Sequence, residues 1–212
     1  FGSMPRRLRL GMVGGGAGLI GEVHANGARL SNRWELVAGA LSSNSERAKA
    51  AGKAWFLAAD RCYESYQEMA RAETQRADGI DAVAIVTPNH LHAPVALEFM
   101  ARGIDVISDK PVTARLDELG PLVAAQEKSK VFFGITYAYA SHPMLRQARE
   151  MVRAGELGDL RQIHVEYFQD WAIDLTDQAD EIPWRLDPAQ TGSSFTVADI
   201  GTHAEHLACF AS

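Results

Sequence analysis

The chain has 212 residues, and its 47% hydrophobic and 23% charged content is that of an ordinary globular protein rather than a disordered or collagen-like one. Two cysteines are too few for a disulfide framework or a cysteine-based metal site. The formal net charge of −6 argues against nucleic-acid binding, because such binding needs a basic surface.

The first 140 residues alternate short apolar runs with segments of helical spacing. An apolar run such as residues 81–86 is typical of a strand that is buried on both faces of a parallel sheet. Strands are predicted at 8–13, 35–41, 81–86, 104–108 and 131–135. Helices are predicted from a glycine-rich loop to Leu30, after an N-cap at Ser45, and over 64–77, 89–102 and 113–128. This order predicts an α/β fold with a doubly wound parallel sheet, which binds ligands at the carboxyl ends of its strands.

The pattern changes after residue 140. Residues 141–212 contain no lysine and are strongly acidic. They predict an amphipathic helix over 142–155, a half-exposed strand over 160–168 and a final helix around 196–210. One strand and two helices cannot close a sheet domain of their own. We therefore divide the chain into a first domain at 5–140 and the beginning of a second, incomplete α/β domain at 141–212.

The glycine-rich loop over residues 14–21 stands between the first strand and the first helix. Gly-x-Gly-x-x-Gly in this place is the dinucleotide fingerprint of a Rossmann domain, because glycines admit the pyrophosphate and the helix N-terminus supplies N–H donors. Two registers fit, one starting at Gly16 and one starting at Gly14 with a two-residue insertion. We expect a loop longer than usual, with Gly14, Gly16 and Gly21 as the structurally equivalent set. The expected cofactor contacts in this loop are Gly14, Gly16, Gly18, Leu19 and Ile20.

The end of the second strand indicates which nicotinamide cofactor is bound. The fingerprint normally has an Asp or Glu there, which holds the adenosine ribose hydroxyls of NAD. This sequence has Leu41, Ser42 and Ser43 instead, and no carboxylate at that point repels a 2′-phosphate. Ser42, Ser43 and Arg47 are able to bind such a phosphate. The pattern favours NADP, while an acid elsewhere or main-chain contacts leave NAD open.

Four short motifs, in order along the chain, resemble one family. The motifs are Gly21-x-x-His24, Thr87-Pro88-Asn89-x-x-His92, Asp109-Lys110-Pro111 and Asp199-x-Gly201-x-His203. Together they resemble the glucose–fructose oxidoreductase, inositol dehydrogenase and rhizopine catabolism (Gfo/Idh/MocA) family. Two departures are that Asp109 stands where the family has Glu, and that Thr-Gly-Ser-Ser-Phe at 191–195 replaces a run of glycines. The resemblance spans nearly the whole chain.

The resemblance implies a Rossmann domain followed by an α/β domain whose mostly antiparallel sheet binds the substrate. It also implies a catalytic set of Lys110, Asp199 and His203. The ordinary pKa of histidine suits a base that accepts a hydroxyl proton, and Asp199 lies four residues before His203, on the same face of a helix. The Lys110 ammonium would polarise the reacting oxygen and hold the nicotinamide ribose. The further cofactor contacts that we carry over are Thr87, Pro88, Asn89, His92, Asp109 and Lys110.

The remaining expectations concern substrate and partners. His92 fits a packed helix residue equally well, and His24 is interpreted as structural. Candidate substrate contacts, each of which also fits domain packing, are Tyr137, Tyr139, His142, Trp171, Trp184 and Arg185. We expect a homo-oligomer that binds a small polyol, without a metal, nucleic acid or membrane. A cytoplasmic location is expected, because no apolar run approaches the roughly 20 residues that span a bilayer and the N-terminus lacks a signal-peptide core.

The function that follows is reversible hydride transfer between NAD(P) and a secondary alcohol of a sugar, inositol or related polyol. Two alternatives remain open. One is a regulatory protein of the same fold that senses NAD(P) without turnover, although the presence of both Lys110 and His203 argues against it. The other is an enzyme of the same family that acts on a substrate other than a carbohydrate.

Overall fold

The computed structural model describes residues 6–16, 18–173 and 183–212. The chain divides into two compact units, Phe1–Ile135 and Thr136–Ser212. This division lies close to the change in charge at residue 140, and the domain bounds of 5–140 and 141–212 stay a prediction.

The first unit is built on a five-stranded parallel sheet with the strand order β2-β1-β3-β4-β5. An isolated parallel bridge between Gly39 and Cys62 lies at the outer edge of β2. The strands are β1 (Leu8–Gly14), β2 (Trp34–Ala40), β3 (Ala82–Val86), β4 (Asp105–Ser108) and β5 (Phe133–Ile135). Each begins and ends within two residues of its predicted bounds. The predicted α/β fold with a Rossmann-like parallel sheet is confirmed.

Helices cover both faces of this sheet. They are α1 (Leu19–Ser31), α2 (Ser45–Ala54), α3 (Tyr66–Gln75), α4 (His92–Met100) and α5 (Leu119–Ser129). Because successive strand residues point to opposite faces, Val83 and Ile85 enter a core cluster with Phe99 of α4. Ala82 and Ala84 enter a second cluster, with Ala28 of α1. The buried strand between them therefore belongs to both cores at once.

Two predicted helix starts are wrong. The N-cap of α2 is Asn44 rather than Ser45, because Oδ1 of Asn44 accepts a hydrogen bond of 2.9 Å from the N–H of Arg47. The α5 helix starts at Leu119 rather than at residue 113. The carboxylate of Glu118 accepts hydrogen bonds from the main-chain N–H groups of Ala114 and Arg115, which holds the preceding segment outside the helix.

An ion pair is buried beside the β2 edge. The Arg61 guanidinium donates two hydrogen bonds to the carboxylate of Glu73, whose side chain is fully buried. The same carboxylate accepts from the Tyr63 hydroxyl at 2.8 Å and from the N–H of Ile80 at 3.1 Å. Burial and the hydrogen bond to Glu73 raise the pKa of Tyr63. A buried carboxylate with this number of donors is fully satisfied as an anion.

The second unit contains α6 (Pro143–Arg153), α7 (Pro188–Thr191) and α8 (Thr202–Ala211). A π-helical turn, Val197–Gly201, leads into α8, and the Arg149 guanidinium of α6 lies 4.4 Å over the Phe210 ring. The predicted strand over 160–168 is wrong, because residues 161–170 have no regular structure. Within the part of this unit that the structure describes, no other strand is present to pair with it.

Candidate active site

The glycine loop places main chain against main chain at the carboxyl end of β1. Gly14 and Gly15 have φ angles of +78° and +76°, which favour glycine strongly. A Cβ atom on Gly21 would lie 2.0 Å from the carbonyl oxygen of Gly15, so α1 approaches the loop more closely than any side chain allows. The N–H of Gly16 donates a 3.0 Å hydrogen bond to the carbonyl of Leu41, which ties the loop to the end of β2.

The loop differs in one respect from the expected glycine set. Gly15, which that set omits, makes the close contact with Gly21. The run of three consecutive glycines at 14–16 is the sequence feature that could have indicated a role for Gly15. Gly18 has nothing within 4 Å of its Cβ direction and serves as the N-cap of α1. Leu19 and Ile20 follow in the exposed first turn of the helix. The first turn of an α-helix has unbonded N–H groups, which suit an anion.

The end of β2 lacks a carboxylate, as the sequence indicates. The Ser42 hydroxyl accepts a 3.1 Å hydrogen bond from the N–H of Asn44. Ser43 and Arg47 are exposed beside it. Within the described ranges the Arg47 guanidinium has no ion-pair partner, whereas the neighbouring Glu46 pairs with Lys49 at 3.3 Å.

The segment after β3 borders the glycine loop. A Cβ atom on Gly14 would lie 2.9 Å from Cγ2 of Thr87, so the two turns are in contact. The Thr87 hydroxyl oxygen is buried and has no hydrogen-bond partner among the residues that the structure describes. Such an atom is costly to bury without a partner, so the Thr87 hydroxyl is suited to a hydrogen bond with a polar group of a ligand. Pro88 is half-buried and Asn89 is buried.

The segment after β4 contains Asp109, Lys110 and Pro111. The N–H of Asp109 donates a 3.0 Å hydrogen bond to the carbonyl of Ile85 in β3. Nε2 of His24 in α1 lies 2.8 Å from Oδ1 of Asp109, and both side chains are largely buried. His24, interpreted as structural from the sequence, therefore connects the first helix to this segment. Lys110 is half-buried next to it.

His92 lies inside the first unit rather than on its surface. The residue is 1% exposed. Its Nδ1 lies 2.7 Å from the carbonyl oxygen of Pro111, and its Nε2 lies 2.9 Å from the carbonyl oxygen of Thr87. Both ring nitrogens thus face main-chain oxygens, which leaves no edge of the ring for a cofactor. Of the two interpretations open from the sequence, the packed residue is the one that this geometry supports.

In the second unit, His203 of α8 is surrounded by tyrosines. It is 8% exposed. The rings of Tyr137, Tyr139 and Tyr167 meet it edge-on, with centroids 5.8, 4.6 and 6.3 Å away. His142 stacks on Tyr139 at 6.0 Å. Tyr167 is not among the site residues predicted from the sequence, because only the packing of the chain brings its ring to His203.

The hydroxyl of Tyr139 feels the charge of Asp199, the acid of the motif that contains His203. A hydrogen bond to Tyr167, burial and the nearby charge of Asp199 raise the pKa of Tyr139 to about 12. Asp199 belongs to the π-helical turn before α8 and not to the same α-helix as His203. Burial raises the pKa of Tyr137 as well. Tyr137 and Tyr139 therefore remain neutral hydrogen-bonding groups beside the imidazole at neutral pH.

The other substrate candidates have local partners. The Arg185 guanidinium lies 4.6 Å over the Trp184 ring, within one 3₁₀ turn. The Trp171 ring lies 6.2 Å from the ring of Phe195, edge to face. These contacts fit the packing interpretation that the sequence left open for the three residues.

No group of three or more His, Cys, Asp or Glu side chains in the described ranges is arranged to hold a metal ion. No helix in them is both long enough and apolar enough to cross a membrane.

Comparison with known proteins identifies the family. Residues 8–137 match the oxidoreductase family with an NAD-binding Rossmann fold, and residues 145–212 match the Gfo/Idh/MocA C-terminal domain. The chain belongs to the Gfo/Idh/MocA oxidoreductase family.

Three relatives illustrate the range of the family. The uncharacterized oxidoreductase YfiI of Bacillus subtilis is 36% identical over 206 residues, which cover 94% of this chain and 52% of that protein. The D-xylose 1-dehydrogenase (NADP(+)) 2 of Haloferax volcanii is 34% identical over 170 residues, 80% of this chain and 48% of that protein. The crystal structure of an inositol dehydrogenase homolog complexed with NAD+ from Azotobacter vinelandii superimposes with a TM-score of 0.87 at 32% identity, over 97% of this chain and 54% of that one. The chain spans about half the length of the curated relatives it matches.

Proposed function

We propose that the protein is an NAD(P)-dependent oxidoreductase that transfers hydride between the nicotinamide and a secondary alcohol of a sugar, inositol or related polyol. One observation carries this proposal: the glycine loop, with no room for a side chain at Gly21, contacts the segment after β3 that holds Thr87, and a hydrogen bond from Asp109 to Ile85 joins the segment that holds Lys110 to the same strand. The Azotobacter vinelandii homolog with bound NAD+ and the xylose dehydrogenase of Haloferax volcanii support the choice of cofactor and substrate class.

The residues present fit a dinucleotide. Gly14, Gly15 and Gly16 carry no side chain over the main chain at the end of β1, and the first turn of α1 offers N–H groups to a pyrophosphate. The unpartnered hydroxyl of Thr87 gives a second polar contact, next to Pro88 and Asn89. When it is bound, the nicotinamide supplies the hydride chemistry, and the chain supplies binding, orientation and proton transfer.

Lys110 has the role of an electrophile in this proposal. Its ammonium polarises the oxygen of the reacting alcohol or carbonyl and stabilises negative charge that develops there. The residue stands at the carboxyl end of β4, the edge of a parallel sheet at which ligands bind.

His203 is the proposed base that accepts the hydroxyl proton, and Asp199 supports its charge. The imidazole is enclosed by the rings of Tyr137, Tyr139 and Tyr167. Exclusion of water by these rings strengthens the electrostatic interactions of the imidazole. The hydroxyl of Tyr139 and the ring of His142 are further candidates to contact a polyol.

The cofactor preference is proposed to be for NADP. Ser42, Ser43 and Arg47 follow β2 at the place of the usual acid, and the Arg47 guanidinium is exposed. The bond from Gly16 to Leu41 holds this strand end next to the glycine loop. An arginine without an ion pair inside the described ranges is well suited to a 2′-phosphate. A homo-oligomer of the full-length protein is a further proposal.

The test is Lys110→Ala in the full-length protein, with Lys53→Ala, an exposed lysine of α2, as the matched control. We assay NAD and NADP with inositols, aldoses and sugar acids, and we follow nicotinamide absorbance. The expected result is a loss of turnover of about 100-fold or more, the size of a typical electrophilic contribution, with cofactor affinity within a few fold of the unsubstituted protein. Normal turnover of Lys110→Ala would contradict the catalytic role. Tight cofactor binding without turnover on any alcohol, in the unsubstituted protein, would instead indicate an NAD(P)-sensing regulator.

A further inference from the structure

We propose that His92 is a positioning residue that fixes Lys110 through the main chain on its C-terminal side. This inference rests on the proposed role of Lys110. The observation behind it is the buried imidazole ring that bridges the carbonyl oxygens of Thr87 and Pro111 at 2.9 and 2.7 Å.

The bridge lies just beyond the last hydrogen-bonded residues of β3 and β4. The last paired residues of β3 and β4 are Ile85 and Ser108, and the N–H of Asp109 makes one more bond to the carbonyl of Ile85. Thr87 and Pro111 come after these bonds, in the two segments that carry the proposed cofactor and catalytic residues. The imidazole of His92 therefore continues the connection between neighbouring strands into the turns that follow them.

Lys110 is placed between two residues that contact histidines. On its N-terminal side the Asp109 carboxylate lies 2.8 Å from Nε2 of His24. On its C-terminal side the Pro111 carbonyl lies 2.7 Å from Nδ1 of His92. Because both contacts are mostly buried, the backbone that carries the lysine is held at both ends. A flexible side chain gains precision from a fixed Cα, and misplacement by about 1 Å is enough to lower a catalytic rate 100-fold.

The chemistry of the bridge is specific to an imidazole. Carbonyl oxygens only accept hydrogen bonds, so the ring is the donor: a neutral imidazole donates to one of the two carbonyls, according to which nitrogen carries the proton, and a protonated ring donates to both. A phenyl ring at position 92 fills the same space and donates to neither carbonyl. A glutamine side chain carries its donors on a single nitrogen, so it reaches one of the two carbonyls and leaves the other without a nitrogen beside it. His92→Phe therefore removes both contacts of the bridge, and His92→Gln removes one of them.

The experiment compares these variants in the full-length protein by kcat, cofactor affinity and thermal stability. Val95→Ala is the matched control, because Val95 is a fully buried residue of the same helix that packs in the core and makes no hydrogen bond through its side chain. We expect His92→Phe to lower kcat by about 10-fold or more while cofactor affinity changes by no more than about 3-fold, and His92→Gln to give an intermediate kcat. Val95→Ala, measured equally far below its melting temperature, should keep a kcat near that of the unsubstituted protein.

Three outcomes decide the inference. If His92→Phe loses no more kcat than Val95→Ala, the histidine is structural only. If His92→Phe does not fold, His92→Gln decides, and an unchanged kcat in that variant overturns the inference. If His92 acts through Lys110, then His92→Phe adds no further loss to the residual turnover of Lys110→Ala, whereas an additive loss overturns the inference. Normal turnover of Lys110→Ala alone is a failure of the proposed function, and it is distinguishable because that variant leaves the His92 bridge intact.

Discussion

The close contact between Gly15 and Gly21 gives the sharpest test of the proposed cofactor site. In Gly21→Ala the new Cβ lies 2.0 Å from the Gly15 carbonyl oxygen and 2.6 Å from its carbonyl carbon. Ordinary contact needs about 3.5 Å, so the first turn of α1 and the loop must separate by roughly 1.5 Å. Neither partner is the end of a flexible side chain, and overpacking of this kind costs about 1–3 kcal/mol. The substitution changes the spacing of main-chain groups that the pyrophosphate is proposed to contact.

The matched control is Gly27→Ala on the same helix. Nothing lies within 4 Å of the Cβ direction of Gly27, and the residue is exposed. Alanine in an exposed helix interior is about 0.5–1 kcal/mol more favourable than glycine, so this variant should be slightly more stable than the parent protein. Gly21→Ala should be less stable despite the same gain in helix propensity. Because the two variants should change the free energy of unfolding in opposite directions, the comparison separates steric conflict from helix propensity.

The assay is urea unfolding together with cofactor titration by fluorescence, on the full-length protein. We expect Gly21→Ala to weaken binding of the dinucleotide by 10-fold or more, a factor that corresponds to about 1.4 kcal/mol. Gly27→Ala should bind like the parent protein. Equal cofactor affinity in both variants would refute the placement of the pyrophosphate on this loop, and equal stability would refute the steric argument itself.

Three further predictions concern cofactor choice and stability. Ser42→Asp should weaken NADP binding at least 10-fold more than NAD binding, because the new carboxylate repels the 2′-phosphate, while the neutral Ser42→Asn should not. Equal weakening of both cofactors by the aspartate would contradict the proposed position of the 2′-phosphate. Glu73→Gln should lower the free energy of unfolding by about 3 kcal/mol in urea denaturation, because among the described residues it leaves the buried Arg61 charge with one carboxylate partner, that of Asp78, 3.5 Å away. A loss below about 1 kcal/mol would count against the network. The side-chain hydrogen bond from Arg6 lowers the pKa of Asp81, so its contribution to stability is present above the unfolded pKa of about 3.9 and is lost as the pH falls through the lower folded value. Asp81→Asn should therefore be less stable than the parent at pH 7, with the difference disappearing toward pH 2, and a difference independent of pH would exclude this origin.

Much of the first unit could be predicted from the sequence, because its elements depend on local patterns. A strand such as Ala82–Val86 has an unbroken apolar run, and only a site buried on both faces accepts such a run. The glycine loop was located in the same way, since three consecutive glycines between a strand and a helix indicate a turn with positive φ.

The errors occur where a longer-range contact decides the outcome. Residues 160–168 have strand-like alternation, but a strand is stable only beside another strand, and alternation carries no information about a partner. The late start of α5 depends on the Glu118 carboxylate, which accepts hydrogen bonds from the N–H groups of Ala114 and Arg115 and so caps a 3₁₀ turn, Leu116–Glu118, just ahead of the helix. Tyr167 remained outside the candidate site for the same reason, since only packing brings its ring to His203.

The sequence by itself determined the order of strands and helices, the glycine loop, the absence of an acid after β2 and the motifs that contain Lys110 and His203. These features are encoded by neighbouring residues, through backbone propensity and the periodicity of apolar side chains. The tertiary structure alone decided which residues hold the site in place. His24 meets Asp109 across 85 positions of sequence, and His92 bridges Thr87 and Pro111. Such contacts form because parallel strands bring their carboxyl ends to one edge of the sheet, and no local pattern specifies which side chains then meet.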